Sequence, residues 1–172
     1  MSELKNPADE NGNEKKDEAK PRLQIKPVKG DPDFQLKISP ESEIRLKWST
    51  DSGSASGEVR ITNTSGKRQF VKVKITGPNV FTLHPSWTFL EADKTMHTKV
   101  GLVDPRSQPE KNRHWAAVYH TASKDKTYAE ANKKQFDGIR RLAIGFDLDN
   151  YREPDAPANA DAAGQSAKNE PT

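Results

Sequence analysis

Residues 70–87 read FVKVKITGPNVFTLHPSW, a strand pattern broken twice at proline. Val71, Val73 and Ile75 alternate with Lys72 and Lys74, the two-residue period of a strand with one face buried and one in water. The run stays apolar and β-prone through Val80, Phe81 and Leu83, yet Gly77-Pro78 and then His84-Pro85 interrupt it. Proline offers no N–H to a sheet ladder and is confined to edges, strand starts and bulges. The chain is a β-protein that runs through two such breaks.

The same period extends on both sides. Phe34, Leu36 and Ile38 alternate with polar residues until Ser39-Pro40 stops them, and Ile44, Leu46 and Trp48 alternate with Arg45 and Lys47. The turn DSGSASG precedes Val59 and Ile61, and NTSGK precedes Val71–Ile75. Downstream lie Trp87 and Phe89, then Met96, Thr98, Val100 and Leu102, then Trp115, Ala117 and Tyr119, and last Leu142, Ile144, Phe146 and Leu148. Seven or eight short strands separated by turn chemistry predict an all-β antiparallel sandwich. One segment departs from the period. TYAEANKKQFDG, from Thr127 to Gly138, has an N-cap residue, helix formers and a terminal glycine, and predicts one short helix before the last strand.

Hydrophobic residues make up only 31% of the 172, matched by 31% charged, because the ends dilute the core. Residues 1–32 (with SELKNPADENGNEKKDEAKP) and 153–172 (EPDAPANADAAGQSAKNEPT) hold almost no large apolar side chain. They read as disordered N- and C-terminal tails around one domain spanning 33–152. The tails carry 7 Lys/Arg with 7 Asp/Glu, and 1 with 4, leaving 20 basic and 14 acidic residues, a net +6, in the domain. That excess favours nucleic acid, anionic lipid or an acidic protein, and charge alone does not choose among them. The absence of cysteine fits a reducing compartment. No N-terminal apolar region or membrane-length run appears, so a cytoplasmic protein without membrane insertion is expected.

Catalysis finds little support. His84, His97, His114 and His120 lie in no HExxH arrangement, and neither GxSxG nor GxxxxGK[ST] occurs. His114 and His120 share strand parity, but isolated strand histidines more often pack than ligate. No catalytic residue, metal or cofactor is expected. Lys72 and Lys74 interleaved with Phe70 and Phe81 match the chemistry of a single-strand nucleic-acid binder. The plainer reading, lysines on a wet face and phenylalanines in packing, is preferred, so nucleic acid is not an expected partner.

The stretch LKISPESEIRLKW followed by GEVRITNTSGKRQFVKVKITGPNVFTLHPSWTFLEADKTMHTKVGL resembles the major sperm protein (MSP) domain family. Asn63-Thr64-Ser65 matches the family's N-x-S turn, Lys72, Lys74, Thr76 and Pro78 its basic strand, and Leu83-His84-Pro85 its apolar-x-Pro step. KKQFDGIRRLAIGFDLDNY resembles the C-terminal block of the sperm type, so the likeness spans about 34 to 151. It implies an immunoglobulin-like seven-stranded sandwich. It also implies that Pro40 and Pro85 follow cis bonds, where an edge strand leaves one sheet for the other.

The family implies two activities. Sperm-type members assemble into filaments for amoeboid crawling, tuned by accessory proteins of the same domain. Membrane-anchored members hold short acidic peptides on a basic face. Against peptide capture, Ile75 replaces a threonine, His84-Pro85-Ser86 stands for Arg-Pro-Asn, and a lysine and a methionine of a later strand fall at Ala116 and Val118. Against a packed filament subunit stand the two tails, which suit an accessory component. Ser52, Ser54 and Ser56 are phosphate acceptors on one reading and an ordinary turn on the other. The resemblance thus implies a non-enzymatic protein of the nematode sperm pseudopod cytoskeleton that binds MSP filaments, their assembly factors or other MSP-domain proteins, with a homodimer as a further pairing. The implied contact residues are Lys72, Lys74, Thr76, Pro78 and Phe81, and the alternative is a soluble adaptor for acidic peptides.

Overall fold

The computed structural model describes residue 25 and residues 28–147 apart from 106, 108 and 111. The strands are β1 (Lys37–Ser39), β2 (Glu43–Ser49), β3 (Ser54–Thr62), β4 (Gln69–Ile75), β5 (Phe81–His84), β6 (Trp87–Leu90), β7 (Thr95–Leu102), β8 (Trp115–Ala122) and β9 (Gly138–Asp147), with helix α1 (Tyr128–Ala131) between the last two. Hydrogen bonds run in the order β5-β7-β3-β2-β9-β8-β4-β6, with β1 also on β3. This ladder curls into two layers because β2 serves both. Its Lys47–Ser49 end pairs with Ser54–Ser56 of β3, while Glu43–Lys47 runs beside Ala143–Asp147 of β9.

The sandwich expected from the sequence is therefore present, with three corrections. Nine strand segments replace seven because two edge strands are each cut in two, at Pro40 and at Pro85. Both Ser39-Pro40 and His84-Pro85 are cis. Before Pro85 the chain pairs with β7, and after it with β4, so the strand changes layer there. Before Pro40 it pairs with β3, and after it first with β9. Second, the sheet is not wholly antiparallel, since the β2–β9 pairing that joins the layers is parallel. Third, the helix has four residues rather than spanning 127–138. Gly138 opens β9 instead of closing α1.

Gly77-Pro78 is a turn. Gly77 takes φ +69°, which glycine adopts without a Cβ penalty, and its carbonyl accepts from the N–H groups of Val80 and Phe81. The interruptions in 70–87 thus divide one long apolar run into β4, a turn, β5, a layer switch and β6.

The fold also begins before residue 33. Asp31 forms an ion pair with Arg141 of β9, and the Pro32 carbonyl accepts from the Ile139 N–H at 3.1 Å. Residues 1–24 and 153–172, the bulk of both expected tails, and Leu148 lie outside the described residues.

Ile44, Leu46, Val59, Ile61, Val71, Val100, Val118 and Leu142 are fully buried between the layers. Each such side chain contributes roughly 1.5–3 kcal/mol of transfer free energy. On β8 the inward set is Ala116 and Val118, not Trp115, Ala117 and Tyr119. The outer face of β8 is covered as well, with Ala117 buried and Tyr119 against the Phe136 ring, so apolar residues of either parity fit it and the period alone does not say which points in.

A buried polar chain runs beside this core. Asn63, with no exposed surface, donates to the carbonyls of Lys67 at 2.7 Å and Leu90 at 2.8 Å, and its Oδ1 accepts from the N–H and hydroxyl of Ser65. Gln69 Nε2 donates to Ser65 Oγ, and Gln69 Oε1 faces His120 Nδ1 at 3.1 Å. The N-x-S turn is thereby accounted for as a fold-fixing element.

Candidate protein-binding face

The outer side of the layer β6-β4-β8-β9 carries Lys72, Lys74 and Thr76 of the residues singled out from the sequence. Val71 and Val73 point into the core, so Phe70, Lys72, Lys74 and then Thr76 point away from it. The structure does not leave these residues equally available.

Lys74 is exposed. Its Nζ lies 5.8 Å from the Tyr119 ring, and its direct cross-strand neighbour is Ala117. Lys72 is engaged: Nζ donates to Asn132 Oδ1 at 2.6 Å and stands 5.0 Å above the Tyr128 ring. Thr76 is engaged as well, since Oγ1 donates to the Trp115 carbonyl and accepts from the Trp115 N–H at 2.9 Å. Pro78 is exposed in the turn. Phe81 does not fit its expected contact role. It is 3% exposed, packed edge-on to His114 and stacked with Phe146 inside the sandwich.

Phe70 explains why Lys72 is held. It is in phase with the lysines yet has no exposed surface. Phe89, Tyr128 and Phe136 surround it at 5.5, 5.7 and 6.5 Å between ring centres, with Trp87 at 6.2 Å. The helix segment is the lid of this second, outer core. Thr127 caps α1 and Glu130 bonds back to the Thr127 N–H, a reciprocal capping box that satisfies two otherwise open donors. Asp125 anchors the approach to the helix through Lys134 at 2.6 Å and the Ser123 hydroxyl, and these contacts, Lys134 first, hold its carboxyl below the usual range. Arg68 donates to the Asp125 carbonyl while its guanidinium lies 4.1 Å above Phe89.

This outer core escapes a reading based on period, which assigns the lysine face to water. Its one sequence signal is Phe70 itself, an aromatic in lysine phase, together with Tyr128 and Phe136 on the segment that returns over it. Trp87, 41% exposed at the rim on the edge strand β6, also goes unassigned as a surface residue in the sequence. Phe70 and Phe81, both buried, are unavailable to stack on bases. Ala116 and Val118, where the family resemblance put a lysine and a methionine of the peptide-binding pattern, are core residues, and the outward positions of β8 hold Trp115, Ala117 and Tyr119. A slip of one residue in register moves a strand's whole side-chain set to the other face.

Of the four histidines, His120 is buried and bonded, and His97 pairs with Glu58 at 3.3 Å. Among the described residues no group of three or more His, Cys, Asp or Glu could hold a metal ion. No helix among them is long and apolar enough to cross a membrane.

The geometry defines an immunoglobulin-like sandwich with a partly basic outer face, and comparison with known proteins gives it a family. The MSP (Major sperm protein) domain family matches residues 35–139, more than half of the chain. The chain belongs to the MSP domain family, a family of non-enzymatic structural and binding domains. A Caenorhabditis elegans relative, the uncharacterized protein ZC262.1, is 29% identical over 117 residues, covering 66% of this chain and 88% of the relative. Two solved C. elegans structures share the fold. WR4, an MSP family member, aligns with a TM-score of 0.53 at 13% identity over 65% of this chain and 97% of its own. SSP-19, an MSP-domain-like protein, aligns with a TM-score of 0.50 at 15% identity over 64% of this chain and 100% of its own.

Proposed function

We propose that this MSP-domain protein is a non-enzymatic cytoskeletal component of nematode sperm. It binds MSP filaments or their assembly factors in the cytoplasm of the pseudopod and modulates fibre growth. The observation that carries this reading is the exposed Lys74 on the outer face of a sheet whose edge strand β6 is paired on one side only, with the exposed Pro78 in the turn that follows β4. A short edge offers open N–H and C=O groups to a second sheet, and a nearby cation selects an acidic neighbour. Lys72 and Thr76 support the face from within rather than contacting the partner.

The test is fibre assembly with purified MSP. The full chain should co-sediment with fibres and change their growth rate, and Lys74→Glu should weaken both effects while the protein stays folded. Unchanged growth together with absence from the pellet rejects the proposal. The second reading, capture of an acidic peptide, draws on the same Lys74 with the Tyr119 ring 5.8 Å from its Nζ. It predicts micromolar affinity for an acidic, aromatic-containing peptide by calorimetry, a result the filament reading does not predict.

A further inference from the structure

The opposite side of the sandwich presents a different surface. On the layer β5-β7-β3-β1, Ile38, Val59, Ile61, Met96 and Val100 point inward. The alternate positions form a grid fixed by strand register. Lys99 lies between His84 and Glu58, Arg60 lies between His97 and Ser39, and Lys37 lies beside Thr62. Lys47, where β2 joins this layer, lies beside Ser56. Lys37, Lys47, Arg60, His84, His97 and Lys99 are all exposed. Glu58 is the acid within the grid, and it is already matched by Arg60 at 2.6 Å and His97 at 3.3 Å.

We propose that this face seats the domain on an anionic bilayer surface, as a peripheral contact without insertion. Charge complementarity selects an anionic partner, and the backbone pairing and side-chain types of the face select among such partners. The interior strands β3 and β7 are hydrogen-bonded on both sides, so a peptide cannot add to them as a further strand. No Phe, Tyr or Trp stands at the grid positions to stack a base. Long cationic side chains spread over the one face suit an extended field of anionic headgroups, whose attraction adds up over the cations that reach it. Because Lys74 projects from the other layer, membrane contact and protein contact use opposite sides of one domain. The inference therefore goes beyond the proposed fibre role and does not depend on it.

The experiment is co-sedimentation of the full chain with phosphatidylserine/phosphatidylcholine vesicles and with pure phosphatidylcholine vesicles. Binding should require phosphatidylserine, weaken with added salt, and fall at least about tenfold in Lys37→Glu/Lys99→Glu. Lys37→Ala/Lys99→Ala, a milder pair for use should charge reversal disturb folding, should reduce binding in the same direction. Lys74→Glu should bind vesicles like the parent chain. Absence of binding, equal binding to neutral vesicles, or equal loss in Lys74→Glu overturns the proposal. So does duplex DNA or an acidic peptide that binds this face more tightly than the vesicles do.

Discussion

The backbone N–H of Gln35 donates to Nε2 of His120 across 3.2 Å, so this buried imidazole meets the main chain through its unprotonated nitrogen. Nδ1 carries the proton and donates to Gln69 Oε1. A second proton would place two donors face to face. Burial pushes the His120 pKa below its ordinary 6.5, and the nearby Asp137 carboxylate opposes that only in part. With the folded-state value depressed, the unfolded chain binds the extra proton more readily. Stability is therefore full above pH 6.5 and is lost as the pH falls from there toward the folded-state value. Thermal unfolding temperature should fall as pH is lowered from about 7 to about 5. His120→Leu should flatten that slope and cost about 2–4 kcal/mol at neutral pH, because Gln35 N–H and Gln69 Oε1 both lose a partner. Glu58 and Asp125, held below 4.5 and 3.8 by their cationic partners, titrate at lower pH and do not confuse the window. An unchanged slope in His120→Leu would assign the acid sensitivity to other groups.

Gly138 belongs to the same contact. A Cβ there would overlap His120 Nε2 and stand 2.9 Å from the Asp33 carbonyl oxygen. Gly138→Ala should cost about 1–3 kcal/mol, the range for forcing atoms into a filled interior. The cost should shrink in a His120→Ala background, where the ring is gone. Urea unfolding of the two single variants and the double variant measures this coupling.

Asn63 spends its whole amide on the fold, with two donations to carbonyls and two acceptances from Ser65. Asn63→Ala should destabilise by about 2–4 kcal/mol, since the Leu90 carbonyl loses a buried donor. Asn63→Asp should cost at least as much at neutral pH, because a carboxylate would then face the Lys67 and Leu90 carbonyls. A midpoint in urea that does not move for either variant would show that the N-x-S turn is not structural.

The residues that announced themselves in the sequence are those whose role depends on local pattern. Val71, Val73 and Ile75, or Met96, Thr98, Val100 and Leu102, point inward because a half-wet strand has a period of two. Thr127 marks a helix start because capping is local chemistry. What stayed hidden depends on contacts between distant segments. Phe70 shares the phase of Lys72, and only the return of residues 128–136 over it turns a wet face into a second core. Ala116 and Ala117 are both buried, so β8 carries no parity signal. Asp31 sits among tail-like residues and is recruited by Arg141, 110 positions away. The same limit applies to the candidate site, where five residues that look alike as contacts divide into two exposed, two engaged by the fold and one in the core.

That division predicts different behaviour for the two lysines. Lys72→Ala removes a donor to Asn132 and a cation from above Tyr128, so it should destabilise by about 1 kcal/mol. It should also speed hydrogen exchange in 128–132 as the lid loosens. Lys74→Ala should leave stability within about 0.5 kcal/mol of the parent, since an exposed side chain is being shortened. Partner binding should respond in the reverse order, strongly to Lys74→Glu and weakly to Lys72→Ala. Phe70→Ala supplies the limiting case: emptying the centre of the outer core should cost about 3–5 kcal/mol and release the helix segment while the inner core stays folded. Exchange protection read separately over 128–132 and over β3 and β7 distinguishes the outcomes. Equal loss in both regions would mean that the outer aromatic cluster is not a separate layer but an extension of one cooperative core.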